Sequence, residues 1–181
     1  GEGKAIACRM DVTSEEEVAA AFREVRLAYG GLDILVSNAG IALTGTLDQL
    51  SLSDWQRSLD VNATGHLLVA QETVRILREQ GLGGSLVFVA TKNVTAPGRG
   101  FGAYSAAKGA VNNFTEWLAV HLAEMNIRVN AIAPGFFLTR QNEALLTNPD
   151  GTYSPRGNTI VGQTPMKRMG RADELIGCLL W

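Results

Sequence analysis

Tyr104 and Lys108 stand four residues apart in the run Tyr104-Ser105-Ala106-Ala107-Lys108. On a helix that spacing puts a phenol and an ammonium on one face, one turn apart. A nearby cation favours the phenolate and brings a tyrosine pKa down from about 10 toward neutral. A phenol tuned in this way can give a proton to a carbonyl oxygen or take one from an alcohol. Taken alone, the pair is also readable as an exposed tyrosine beside a solvated lysine. Its surroundings argue for chemistry, because Ala103, Ser105, Ala106, Ala107, Gly109 and Ala110 are all small. Such a helix lets a ligand or a neighbouring backbone come close.

The elements that must position this pair alternate along the chain. The run 4–9 predicts a short strand. Ser14 with Glu17 makes a capping box that opens a helix running to about Tyr29 and stopping at Gly30-Gly31. Residues 33–36 predict an apolar strand. Ser53 or Asp54 is placed to cap a long helical pattern carrying Leu59, Leu67, Leu68, Val74 and Leu77, which ends near Gly81. Residues 85–90 predict a buried strand, 104–125 a helix and 127–132 another strand. Short apolar strands separated by helices imply parallel pairing with both sheet faces covered, a doubly wound α/β fold. Ligands of such sheets bind beyond the carboxyl ends of the strands. The loops after Val36, Ala90 and Ile132 are therefore where a site is expected.

Composition narrows the function classes. The 181 residues are 46% hydrophobic and 19% charged, ordinary for one soluble globular domain. A net charge of −2, with lysines and arginines scattered, gives no electrostatic basis for binding nucleic acid. No apolar run reaches the roughly 18 residues of a membrane span. Cys8 and Cys178 lie far apart and read as reduced, partly buried thiols of a cytoplasmic protein. His66 and His121 sit in two different helical patterns without partners at ligand spacing, so no metal site is expected. Trp55 and Trp117 read as packing residues.

The Tyr104/Lys108 motif, placed after strand 85–90 and a Gly/Pro-rich loop, resembles the catalytic motif of the short-chain dehydrogenase/reductase family. The resemblance runs along nearly the whole chain. Ser37-Asn38-Ala39-Gly40 is similar to the family's Asn-Asn-Ala-Gly loop near the cofactor ribose. Asp60-Val61-Asn62 resembles the segment that supplies the catalytic asparagine. Pro134-Gly135 with Thr139 resembles the loop that grips the nicotinamide carboxamide, and Asp11-Val12 the acidic turn that contacts the adenine. The resemblance implies a Rossmann-type fold and hydride transfer between NAD or NADP and a secondary alcohol or carbonyl. Tyr104 would be the general acid/base, Lys108 its pKa-lowering partner and a ribose ligand. Asn62 would hold a relay water through its helix backbone, although its residue type alone also fits a satisfied core amide. A homo-oligomer, dimer or tetramer, built on the two long helices is implied as well.

One position departs from the family pattern. Where the family usually has Ser, this chain has Thr91, which keeps a hydroxyl but has a stiffer χ1. Thr91 is expected to take that role. Thr91-Lys92-Asn93 resembles the same stretch in members acting on sugars and sugar acids. The segment from Leu145 to Gly170 resembles the substrate loop of D-mannonate oxidoreductases (fructuronate reductases). Segment 140–170 is thus expected to be a substrate loop or lid inside a single partial domain, 1–181. Lys92, Asn93, Arg140, Gln141 and Asn142 could supply the cations and hydrogen-bond partners an anionic polyol needs. The alternative is a solvated lid with incidental charge.

The family's phosphate-binding turn has no counterpart, since no GxGxxG pattern precedes Asp11. Matched to the family, residue 1 falls shortly before the third strand. The chain is therefore expected to be a fragment lacking the first two strands and the last. In the strand order 3-2-1-4-5-6, strand 4–9 then has no neighbour and strand 33–36 has an open edge. A second reading follows from the absent turn: a truncated or non-catalytic binding protein on the same scaffold. The choice between NAD and NADP stays open, because the deciding residue follows the second strand.

Overall fold

The computed structural model describes residues 5–139 and 142–180. Contacts divide the chain into two compact units, 1–133 and 134–181.

The first unit begins with the extended stretch 5–10, which forms no strand among the described residues. The expected strand 4–9 is corrected on this point, for the described part: a parallel strand exists only through ladder bonds to a neighbour, and none lies beside it. Helix α1 (Glu15–Tyr29) starts at Ser14, whose Oγ accepts from Glu17 N at 3.2 Å, while Glu17 Oε2 accepts from Asp11 N at 2.9 Å. It ends at Gly30, whose φ of 79° lies in the left-handed region that glycine reaches without strain. Helix α2 (Leu52–Leu59) is capped by Ser51, not by Ser53 or Asp54. Ser51 has the extended backbone of a cap, and its Oγ accepts from Asp54 N at 3.0 Å and donates to Asp54 Oδ2 at 2.7 Å.

The long helical pattern is not one regular helix. Between α2 and α3 (Gly65–Gln80) lies a π-helical turn, Asp60–Thr64, where Gly65 N bonds back to Asp60 O. Insertions of this kind recur at functional sites because they re-aim side chains. Gly65 is needed here, because a Cβ on it would stand 2.8 Å from Val12 Cγ2. That contact seats the Asp11-Val12 turn on the π segment.

Strands β1 (Ile34–Ser37), β2 (Gly84–Val89) and β3 (Ile127–Ile132) form one parallel sheet in that order, with Val36 opposite Val87 and Val87 opposite Asn130. Helix α4 (Gly102–His121) connects β2 to β3, starting two residues earlier than expected, and a 3₁₀ turn at Ala123–Met125 follows it. Leu86 and Phe88 of β2 and Ile127 and Val129 of β3 point to one face, where they pack with Ala70 and Leu77 of α3 and Val111 and Leu118 of α4. The other face shows Ile34 at 61% and Val36 at 43% exposure. Trp117 is 54% exposed, stacked between Phe114 and His121, and so is a surface residue instead of core packing. Cys178 is likewise exposed. None of the described helices is long and apolar enough to cross a membrane.

Among the described residues β1 has an open edge and an apolar outer face, with a consequence for stability. The 181 residues alone are expected to melt broadly, bind an apolar dye and aggregate on concentration. A sharp cooperative melt of the monomeric 181-residue chain, with micromolar NAD(P) binding, would overturn this.

The second unit is built on α5 (Glu143–Leu146), α6 (Pro155–Gln163) and α7 (Ile176–Leu180). Leu146, Ile160 and Met169 form its small core. Arg168 pairs with both carboxylate oxygens of Glu174, whose pKa falls to about 2 chiefly through that hydrogen bond.

Candidate active site

The carboxyl end of the sheet collects the expected catalytic residues of the first unit. Thr91 follows β2 directly and keeps extended backbone (φ −163°, ψ 155°). Its Oγ1 receives a long 3.4 Å bond from Asn93 N as it opens the short 3₁₀ turn Lys92–Val94. Tyr104 lies in the first turn of α4, its ring edge-on to Phe101 at 6.3 Å. Lys108 lies one turn further on.

The lysine is the best-defined group of the site. It is 2% exposed, and its Nζ donates to Val89 O at 2.8 Å and to His66 Nε2 at 3.0 Å. Burial away from water lowers its pKa to about 8, which leaves it charged at neutral pH. Lysine has three N–H donors. Among the described residues, Val89 and His66 take two of them.

Asn62 is fully buried and acts as a clamp. Its Oδ1 accepts from Ile41 N at 3.0 Å, and its Nδ2 donates to Ile41 O at 2.9 Å and Ser58 Oγ at 3.2 Å. This locks the loop that follows Gly40 onto the π turn. A Cβ on Gly40 would come within 2.9 Å of Asn62 Oδ1 and 3.6 Å of Lys108 Nζ. Glycine there keeps open the space beside the ammonium, while Asn38, Ala39 and Gly40 stay exposed on the loop.

Two side chains absent from the expected set complete the cluster. His66 is 1% exposed, and its Nδ1 lies 2.6 Å from Ser37 Oγ. The ring's pKa falls to about 3, through burial first and the Lys108 charge second, so it is neutral. The spacing Ser58, Asn62, His66 is a signal in the sequence, since steps of four return to one helix face.

The remaining expected residues fall elsewhere. Asp11 Oδ1 accepts from Thr13 N at 2.9 Å and Thr13 Oγ1 at 2.8 Å, which depresses the Asp11 pKa and fixes the turn. Asn93 is buried, and Lys92 is half-buried beside it. Pro134, Gly135 and Thr139 belong to the second unit, where Thr139 N donates to Asn142 Oδ1 at 2.9 Å. Asn142 also donates to Phe137 O, so its amide is engaged in shaping its own loop. Arg140 and Gln141 lie outside the described residues.

A buried lysine, a tyrosine one helical turn before it and a clamped asparagine thus lie toward the carboxyl end of a parallel α/β sheet. The chain matches the short chain dehydrogenase family over residues 1–150 and belongs to that family, and it is an oxidoreductase like the relatives it matches. An uncharacterized Bacillus subtilis oxidoreductase, UxuB, is 38% identical over 193 residues, covering 99% of this chain and 69% of that protein. A Haemophilus structure described as a D-mannonate oxidoreductase with bound NAD is 34% identical with a TM-score of 0.88, over 98% of this chain and 69% of that one. A gluconate 5-dehydrogenase from Burkholderia cenocepacia, solved with NADP and tartrate, is 32% identical with a TM-score of 0.83, over 93% and 64%. The chain thus spans about two thirds of the length of these relatives.

Proposed function

We propose that this chain is the catalytic part of a cytoplasmic NAD(P)-dependent dehydrogenase that interconverts the secondary alcohol and ketone of a sugar or sugar acid. The observation that carries the reading is the Lys108 ammonium, anchored by Val89 and His66 beside a loop where Gly40 leaves room for a ligand. These residues fit a nicotinamide dinucleotide: an unspent N–H on Lys108 suits a ribose hydroxyl, and the fixed Asp11-Val12 turn suits an adenine edge. Bound there, the nicotinamide would accept or supply the hydride. Pro134, Gly135 and Thr139 would hold its carboxamide, and Asn38 to Gly40 would line its ribose. The protein's part is the proton. Tyr104 takes it from the alcohol oxygen or returns it to the carbonyl, and the Lys108 charge favours the phenolate between those events. Asn62 keeps the loop and π turn in place around the lysine.

The sugar-acid reading draws support from Lys92 and Asn93 beside Thr91 and from the relatives above. In this reading Arg140 and segment 140–170 supply a substrate loop. The exposed Trp117, with Val120 at 80% and Leu67 at 38% exposure along α3 and α4, supports a homo-oligomer through that face. The test is reduction of NAD+ or NADP+ by a panel of aldonates, uronates and neutral polyols, with the protein that carries this chain. An aldonate or uronate is expected to turn over fastest. No cofactor reduction with any of them would sink the reading.

Thr91 is expected to bind the substrate oxygen through its hydroxyl. Thr91→Ala should lower kcat roughly 100-fold, the scale for removing one donor to a reacting oxygen, and Thr91→Ser should retain most of it. An alanine variant as active as the parent would remove Thr91 from the site.

A further inference from the structure

His66 has no part in the chemistry read from the sequence, yet the fold seats it between two residues of the site. Both ring nitrogens are engaged by side chains: Nε2 by Lys108 Nζ at 3.0 Å and Nδ1 by Ser37 Oγ at 2.6 Å. Phe88 stands edge-on to the ring at 5.7 Å and 84°, which restrains its plane. An ammonium only donates, so Nε2 must be a bare acceptor. A neutral ring then carries its single proton on Nδ1 and donates it to Ser37 Oγ. The Lys108 ammonium sets the tautomer, and Ser37 Oγ accepts the proton that this tautomer presents on Nδ1.

Lys108 makes this arrangement matter. The ammonium is buried, and none of the ion pairs among the described residues gives it a carboxylate. Its charge is held by the Val89 carbonyl and the His66 lone pair. Without the second acceptor, one donor would be left unpaired and the flexible four-carbon stem would be free to swing. A histidine that merely filled the core would not need both nitrogens aimed at site residues.

We infer that His66 is a positioning residue for Lys108: Ser37 Oγ accepts from its Nδ1 and anchors the imidazole, and its Nε2 with Val89 O fixes the ammonium so that the third N–H is left for the cofactor. This rests on the dehydrogenase reading above.

Three variants of the intact protein separate this from space-filling. In His66→Gln the amide oxygen reaches about as far as Nε2 and can still accept from Lys108. In His66→Asn the amide ends near the Nδ1 position and can serve only Ser37. His66→Leu serves neither. The Asn and Leu variants are expected to lose about 100-fold in kcat, the scale for a small misplacement of a catalytic group, with the substrate KM little changed. The Gln variant should lose less than about tenfold. Equal losses in all three, tracking a common fall in melting temperature, would overturn the role.

A readout without turnover is the nitrogen spectrum of the histidine-labelled, cofactor-free protein, in which the His66 signals are assigned by their loss in His66→Gln. His66 is expected to be neutral and protonated on Nδ1 at pH 7, and Ser37→Ala should leave the proton on Nδ1, because Lys108 still requires a bare Nε2, while moving the Nδ1 resonance as its acceptor is lost. A ring protonated on Nε2, or charged at pH 7, in an active enzyme would remove the positioning role alone. A parent protein with the expected spectrum but no dehydrogenase turnover would instead remove the dehydrogenase reading, and the positioning role with it.

Discussion

Tyr104→Phe is expected to lower kcat by about 100- to 10,000-fold, the range for removing a general acid/base. The change deletes one hydroxyl and keeps the ring that packs edge-on to Phe101. The melting temperature should therefore hold, and cofactor affinity should change little, since Lys108 keeps both of its anchors. Steady-state kinetics alongside a cofactor-binding titration reads both quantities. The combination of lost kcat and retained binding is what distinguishes a proton-transfer group from a binding group. A phenylalanine variant that turns over within about threefold of the parent, set against that expected range, would remove Tyr104 from the chemistry and with it the central assignment of the site.

Asn62→Ala should act first on structure. It strips the partners from Ile41 N and Ile41 O and takes away a bond to the buried Ser58 hydroxyl. Leaving such groups unpaired costs about 1–3 kcal/mol, a drop in melting temperature of roughly 2–10 °C for a domain of this size. Because Ile41 directly follows Gly40, the loop beside Lys108 loosens with it, and kcat should fall as well. Asn62→Asp sharpens the test. Its carboxylate can still accept from Ile41 N but would face the Ile41 carbonyl with a lone pair, so it should be no more stable than the alanine variant at neutral pH. Thermal melts of both variants check this. An alanine variant with parental stability would mean that the clamp contributes nothing.

Much of the architecture is legible in local sequence because local rules set it. The Ser14/Glu17 cap, the glycine stop at Gly30 and the apolar runs of β2 and β3 each depend on neighbours in the chain. They appear in the structure within about a residue or two, the ordinary uncertainty of element ends. The cap of α2 moved to Ser51 because a serine two residues earlier makes the reciprocal pair with Asp54. The stretch 5–10 did not become a strand because strand formation depends on a partner, which no local pattern supplies.

Residue types and order also supplied the candidates for the site. Tyr104 and Lys108 stand at helical spacing, and the family resemblance joined Asn62 and Gly40 to them. The tertiary structure decided how they are held. The π turn that breaks the α2–α3 pattern cannot be read from periodicity, since its five residues look helical in the sequence. Through it Asn62 became a backbone clamp. His66, which the sequence offers only as an isolated histidine, became the partner of Lys108 because β1 and α4 bring Ser37 and Lys108 to opposite edges of one imidazole. Spacing along one chain specifies which groups share a helix face. Which groups from different elements meet in a buried, water-poor space is fixed only by packing, and there each donor and acceptor must find a partner.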